Sequence, residues 1–349
     1  MGGRYRAWRM ISWRLNAGRM PGLAFHIEEE FMRRFVAAPG FVVMLSLASV
    51  QAQGPEIVRF SLPEEITYPE GIAFDQKANA IYVASAATGA IARLSAEGRE
   101  PAIISKAGAL VPADPFPGLL GMKVDQMGRL WVAGGRTGVI AAIDATSGKE
   151  LKRFEVPTKG KSLINDVAIA QGNAYFTDTF VPTLWRVPVK GDQIGALEPW
   201  LEFTGTPLQY ETGANLNGIA ATPDGRHLIV VQMNKGLLFR IDVDDKKVTP
   251  IDTGGEALNT ADGLVLDGRT LYVVRQGEQE VVTIELSEDL TKGRVRNRFK
   301  DPALAWPATA AKVGDRLLVV NTQFNQRQAK TAQTPFTVLG IPVSRLAGK

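Results

Sequence analysis

The sequence contains no cysteine, which excludes a disulfide framework, a thiolate metal site and a cysteine nucleophile. Histidine is nearly absent as well. Its two copies are His26, in an N-terminal leader, and His227, in an expected strand, so neither a histidine dyad nor a Ser-His-Asp relay can be assembled. A basic excess is missing once the chain is divided. Residues 1–52 hold seven Arg and three Glu, and the remainder carries 33 basic and 33 acidic side chains, so the formal charge of +4 belongs to the leader. A nucleic-acid binder needs a clustered basic face, and no nucleic-acid partner is expected.

A good membrane span is lacking too. Met32-Arg33-Arg34 precedes an apolar run from Phe35 to Val50, with small residues at Val50 and Ala52, which is the pattern of a secretory signal peptide cleaved after Ala52. An uncleaved N-terminal anchor is the alternative reading. Glu28-Glu29-Glu30 can be encoded by a purine-rich, ribosome-binding-like stretch, which points to Met32 as the true start. The expected division is 1–31 as a mis-assigned start or leader, 32–52 as signal peptide and 53–349 as one domain. A periplasmic or secreted location follows, with no membrane contact after cleavage.

What is present is repetition. Glu70-Gly71-Ile72, Leu120-Gly121-Met122, Asn165-Asp166-Val167, Asn217-Gly218-Ile219, Asp262-Gly263-Leu264 and Ala308-Thr309-Ala310 open six copies of one unit, spaced 45 to 52 residues apart. Each continues as short apolar runs separated by turns, such as Ile81-Tyr82-Val83 after Asp75 to Asn79, or Leu228 to Val231 after Pro223-Asp224-Gly225. Short β-branched and aromatic runs broken by Gly, Asp and Pro are strands, and the period predicts an all-β, six-bladed β-propeller with four-stranded antiparallel blades. Glu56 to Phe60 is expected to add a strand to the last blade and close the ring.

This topology brings the lead residue of each innermost strand to one mouth of the channel. Glu70, Asn165, Asn217 and Asp262 then form an oxygen-only set, whose two carboxylates would repel without a cation; such a set suits Ca²⁺. Three of the four precede Gly, as if the backbone must turn tightly beside a ligand. The second strand of each blade returns to the same face, so the rim should carry Ser85, Arg136, Asp178, Gln232, Asn234, Arg275, Asn321 and Gln323. Substrate contacts are expected from Tyr68, Arg136, Asp178, Gln232, Arg275, Trp306 and Asn321, with Asn321 to Thr334 as a lid. Leu120 and Ala308, the apolar leads, are expected to wall the pocket.

Glu70-Gly71, Asn165-Asp166-Val167, Asn217-Gly218-Ile219 with Pro223-Asp224-Gly225, and Asp262-Gly263-Leu264 together resemble the senescence marker protein/gluconolactonase (regucalcin-like) family of the calcium-dependent lactonase/phosphotriesterase superfamily. They are also similar to paraoxonases and strictosidine synthase-like proteins. The resemblance implies a catalytic divalent metal, Ca²⁺, Zn²⁺ or another, held by Glu70, Asn217 and Asp262, with Asn165 as a further ligand or as the holder of a water or substrate. It implies hydrolysis of a small-molecule lactone or ester, with Asp262 as the base and Asp166 as the second choice. Tyr175-Phe176-Thr177-Asp178 resembles the strictosidine synthase-like pattern.

Two departures are visible. The histidine pair attributed to paraoxonases is missing, and Leu163 stands where gluconolactonase-like members carry a sugar-holding Arg. With Tyr68, Phe180 and Trp306 nearby, Leu163 points to a more hydrophobic substrate. A non-catalytic, metal-stabilised propeller that binds a ligand or partner, and a strictosidine synthase-like activity, are the competing readings. Oligomeric state is not legible.

Overall fold

Strand formation begins with local chemistry. At the turn after the innermost strand of blades 1 and 2 an aspartate accepts from the backbone just ahead of it: Asp75 Oδ1 from the amides of Lys77 and Ala78 (2.8 and 3.1 Å), Asp125 Oδ1 from those of Met127 and Arg129 (2.9 and 3.1 Å). Such Asx turns reverse the chain and set the register of the hairpin that follows. A computed structural model describes residues 55–348; the expected leader and signal segment, 1–31 and 32–52, lie outside the described residues.

Six antiparallel sheets result. Their innermost strands are Pro69–Asp75, Met122–Val124, Ile164–Ala170, Leu216–Ala221, Ala261–Asp267 and Pro307–Val313, and they touch in ring order from blade 1 to blade 6 and back to blade 1. Blade 6 is completed by Val58–Ser61, which pairs with Thr337–Pro342 and ties the two ends of the domain together. Blade 3 has a fifth strand, because Thr183–Lys190 is long enough to pair with Gln193–Ile194 as well as with Glu198–Glu202. The apolar core is divided into six clusters, one between each pair of neighbouring blades.

One irregularity recurs at the channel. Pro69 pairs with Ser85 but Ile72 pairs with Val83, so Glu70 and Gly71 sit at a bulge with one residue too many on the inner strand. The same shift occurs at Asn165-Asp166, Asn217-Gly218, Asp262-Gly263 and Ala308-Thr309. A bulge bends the strand and re-aims a side chain. Here it falls on the lead residue.

The glycines after the leads are explained by contact rather than by turning. None of Gly71, Gly121, Gly218 and Gly263 has a positive φ. Instead, a Cβ on Gly218 would lie 2.2 Å from the Asp262 carbonyl oxygen, and one on Gly71 would lie 2.0 Å from that of Leu120. Each inner strand leans on the backbone of the next. Gly218→Ala is therefore expected to cost several kcal/mol, about 3 or more, by pushing blade 4 from blade 5. Chemical denaturation checks this, and a loss below about 1 kcal/mol would show that the ring is slack.

Candidate metal centre

Glu70, Asn165, Asn217 and Asp262 are all buried, at 2%, 6%, 4% and 4% exposure. Each also keeps one side-chain oxygen without any hydrogen-bond partner: Glu70 Oε2, Asn165 Oδ1, Asn217 Oδ1 and Asp262 Oδ1. Buried polar atoms are rarely left unpaired, and each costs about 1–3 kcal/mol. Four at once, from the leads of four blades, form a set of hard oxygen donors.

Their other atoms are anchored. Asn165 Nδ2 donates to Thr179 Oγ1 (2.9 Å), Asn217 Nδ2 to Met233 Sδ (3.3 Å), and Gln276 Nε2 donates to Asp262 Oδ2 (3.0 Å). Thr179, Met233 and Gln276 hold equivalent places, one residue beyond the end of the second strand of blades 3, 4 and 5. Sequence reasoning missed all three. The available signal was the strand's alternation: if its last residue faces away from the channel, the next faces toward it.

That last residue does other work. Asp178 Oδ1 accepts from the amides of Leu163, Phe180 and Val181, and its Oδ2 from Trp185 Nε1 (3.1 to 3.3 Å). Gln232 donates to Gln209 O and Asn215 Oδ1, Arg275 Nε to Asn259 O, and Asn321 joins Ala305 N, Ala303 O and Thr337 Oγ1. Ser85 is bonded to Thr67 in the same manner. These side chains clamp the loops that enter the innermost strands of blades 1, 3, 4, 5 and 6. Asp178, Gln232, Arg275 and Asn321, expected to contact substrate, are buried and engaged in this scaffold.

Charge accumulates in the ring. Burial, followed by the charges of Asp262 and Asp166, pushes the Glu70 carboxyl well above the usual range. Burial and then Asp166 push Asp262 up to about 7, against the opposing effect of the neighbouring Asn217 side chain. Asp166 is also raised by burial, opposed by Lys123 and by the amides of Ile219 and Val167. Its oxygens accept from Val167 N (2.8 Å) and Ile219 N (3.1 Å), so it bridges blades 3 and 4. A divalent cation among the orphan oxygens would offset this repulsion, and the donor chemistry fits one. Among the described residues no three His, Cys, Asp or Glu side chains cluster as ligands; this set is half amide.

Above the leads the surroundings are aromatic. The loop expected as a lid contains a short 3-10 turn, Phe324–Gln326, and is pinned at its base by two bonds between Gln323 and Gln333. Phe324 packs 5.2 Å from Phe116 and 6.4 Å from Tyr68, and the Arg327 guanidinium lies 3.7 Å over Phe116. Arg136, exposed, stacks on Phe180 at 4.9 Å. Tyr68 and Trp306, half-buried, precede their strands at φ of 49° and 50°. Leu120 packs with Ala86, Leu163, Phe116 and Phe324, whereas Ala308 packs between blades 6 and 1. The two apolar leads therefore do not share one wall. His227 lies near Asp242, at the start of its strand and away from the leads.

Fold and donor set define a six-bladed propeller with an oxygen-lined axial centre. Residues 46–165 match the family described as SMP-30/Gluconolactonase/LRE-like region, the one that the lead motifs resemble; the match takes in Glu70 and ends at Asn165. No curated protein matches the chain by sequence. Among solved structures, a gluconolactonase from Xanthomonas campestris is 16% identical, with 82% of this chain and 89% of that one covered at a TM-score of 0.57. A luciferin-regenerating enzyme is 15% identical, with 84% and 98% covered at 0.59. A virginiamycin B lyase from Staphylococcus aureus is 14% identical, with 82% and 98% covered at 0.52. Such distant likenesses show the fold, which hosts different chemistries.

Proposed function

We propose that this protein is an exported, divalent-metal-dependent hydrolase of small-molecule lactones or esters. The observation that carries the reading is the set of four unpartnered oxygens on Glu70, Asn165, Asn217 and Asp262. These four would hold Ca²⁺, or Zn²⁺ or another divalent ion. Bound there, the ion supplies Lewis-acid polarisation of a carbonyl or of a water.

The chain's own residues do the rest. Asp262, raised toward neutrality by burial and held at Oδ2 by Gln276, takes the proton of the attacking water. Asp166, with both oxygens engaged by backbone amides, is the poorer base. Thr179 and Met233 turn the two amide oxygens away from their own nitrogens' partners. Tyr68, Phe116, Phe324 and Phe180 favour an apolar or aromatic acyl or alcohol part, and Arg136 is placed to meet a polar group at the rim.

The test is hydrolysis of a panel of lactones, aryl esters and a phosphotriester by the purified protein, after chelation and after resupply of Ca²⁺ or Zn²⁺. Activity lost on chelation and restored by one ion is the expected result. A second reading, a metal-stabilised binding propeller, draws on the commitment of Asp178, Gln232, Arg275 and Asn321 to the scaffold, which leaves few polar groups for a substrate. Thermal stabilisation by the ion with no turnover on any substrate would establish it instead. A strictosidine synthase-like role for Asp178 has less support, since that carboxylate already accepts four hydrogen bonds.

A further inference from the structure

Blade 6 breaks the pattern of its neighbours. In blades 1, 3, 4, 5 and 6 the residue just beyond the second strand donates its amide to the carbonyl two residues before the lead: Ala86 to Tyr68, Thr179 to Leu163, Met233 to Asn215, Gln276 to Thr260 and Thr322 to Trp306. These backbones are equivalent. In blades 3, 4 and 5 the side chain at that place touches the lead. In blade 6 the lead is Ala308, which has nothing to bond. Thr322 Oγ1 is left with no partner, on a residue of 0% exposure.

Position gives this orphan its meaning. Blade 6 lies between blade 5, which carries Asp262, and blade 1, which carries Glu70, in the ring order of the inner strands. Ala308 offers no polar atom where blades 1, 3, 4 and 5 place an amide or a carboxylate. The other hydroxyl nearby, Thr309 Oγ1, is already spent on the Glu70 backbone oxygen. A buried hydroxyl with no protein partner is commonly satisfied by water, which in turn needs two or more polar partners. Glu70 Oε2 and Asp262 Oδ1, unpartnered on the two flanking blades, are acceptors of that kind.

We infer that Thr322 is a positioning residue, whose hydroxyl holds a water between the Glu70 and Asp262 carboxylates. The inference rests on the proposed metal-dependent hydrolase reading and extends it: this water is the one from which Asp262 takes a proton. Thr322 acts by orienting it and touches no reacting carbon.

The test compares Thr322→Val, which keeps the shape and removes the hydroxyl, with Thr322→Ser, which keeps the hydroxyl. Three quantities are read: the melting temperature of chelated protein, the Ca²⁺ dissociation constant by calorimetry, and kcat with KM on whichever substrate the wild type hydrolyses. Thr322→Val should melt no lower than wild type, bind Ca²⁺ about 10-fold more weakly, as when an outer partner of a metal site is removed, and lose kcat by about 10-fold or more at similar KM. Thr322→Ser should restore the last two. Wild-type Ca²⁺ affinity and kcat in Thr322→Val would overturn the inference, as would a lowered melting temperature with both unchanged, which marks a structural hydroxyl. Failure of the wild-type protein itself to bind any divalent ion would instead remove the metal reading and this inference with it.

Discussion

Asp262→Asn should abolish most metal-dependent turnover, by about 10²- to 10⁴-fold, while making the metal-free protein more stable at pH 8. The two effects share one cause. Asp262 is buried at 4% exposure, with an orphan oxygen and the charges of Asp166 and Glu70 close by, so its ionised form is disfavoured in the folded chain. A carboxyl moved up to about 7 contributes stability that is fully present below its unfolded value near 3.8 and is lost as pH rises through about 7. Metal-free wild type should therefore melt lower at pH 8 than at pH 5. The neutral amide of Asn removes that penalty and relieves Glu70, whose carboxyl is pushed the same way.

The full shift corresponds to a few kcal/mol at most, and a gain of about 5 °C at pH 8 in the melting temperature of chelated Asp262→Asn is the expected scale. At pH 5 the two proteins should melt close together. Ca²⁺ should reverse the order at pH 8 by stabilising wild type alone. A variant that melts lower than wild type by the same amount at both pH values would mean that Asp262 is a satisfied structural carboxylate.

Asp178→Ala should have the largest effect on folding of any single substitution near the mouth. The carboxylate accepts three backbone amides and the Trp185 indole, and joins the loop before blade 3 to the loop after its second strand. Each donor stranded in the interior costs about 1–3 kcal/mol, so the loss should exceed about 3 kcal/mol. The melting temperature should fall by roughly 10 °C at every pH tested, with Ca²⁺ binding weakened through misplacement of Asn165. A stable Asp178→Ala protein with only a raised KM would restore Asp178 to the substrate site.

These two aspartates show where a sequence is and is not transparent. The repeat, the blade count and the lead positions were legible because one period places an apolar run, an Asp turn and a polar lead at fixed distances, and ring closure then dictates where the leads meet. Even the closing strand could be read from Glu56 to Phe60, which overlaps the observed Val58–Ser61. At the second-strand ends, the side chains that touch the leads lie one residue beyond the polar ones that the sequence marks. Polarity alone marks Asp178, Gln232, Arg275 and Asn321 as functional, yet polarity is also what a clamp on backbone amides requires. Thr179, Met233 and Gln276 carry no such mark, and Met233 reads as core until its sulfur is seen against Asn217.

The bulge was equally hidden. It is a property of two strands in register, and the glycines that accompany it answer to the neighbouring blade, distant in sequence but in contact through space. The lid was expected from its length and polarity, but its seat on Phe116 and Tyr68 depends on three loops from three blades. Leu120 and Ala308 look alike as apolar leads and part company in the fold. One packs with Phe116 and Phe324, and the other packs between blades 6 and 1.

The central claim is that Glu70, Asn165, Asn217 and Asp262 surround one divalent cation, and the most direct measurement is an anomalous difference map from crystals grown with Ca²⁺ and soaked in Mn²⁺. The account predicts one dominant peak on the channel axis, touching Glu70 Oε2, Asn165 Oδ1, Asn217 Oδ1 and Asp262 Oδ1 at roughly 2.1–2.6 Å, the range of hard cation–oxygen bonds. Metal confined to surface carboxylates, with these four oxygens bonded to one another or to water alone, would contradict it.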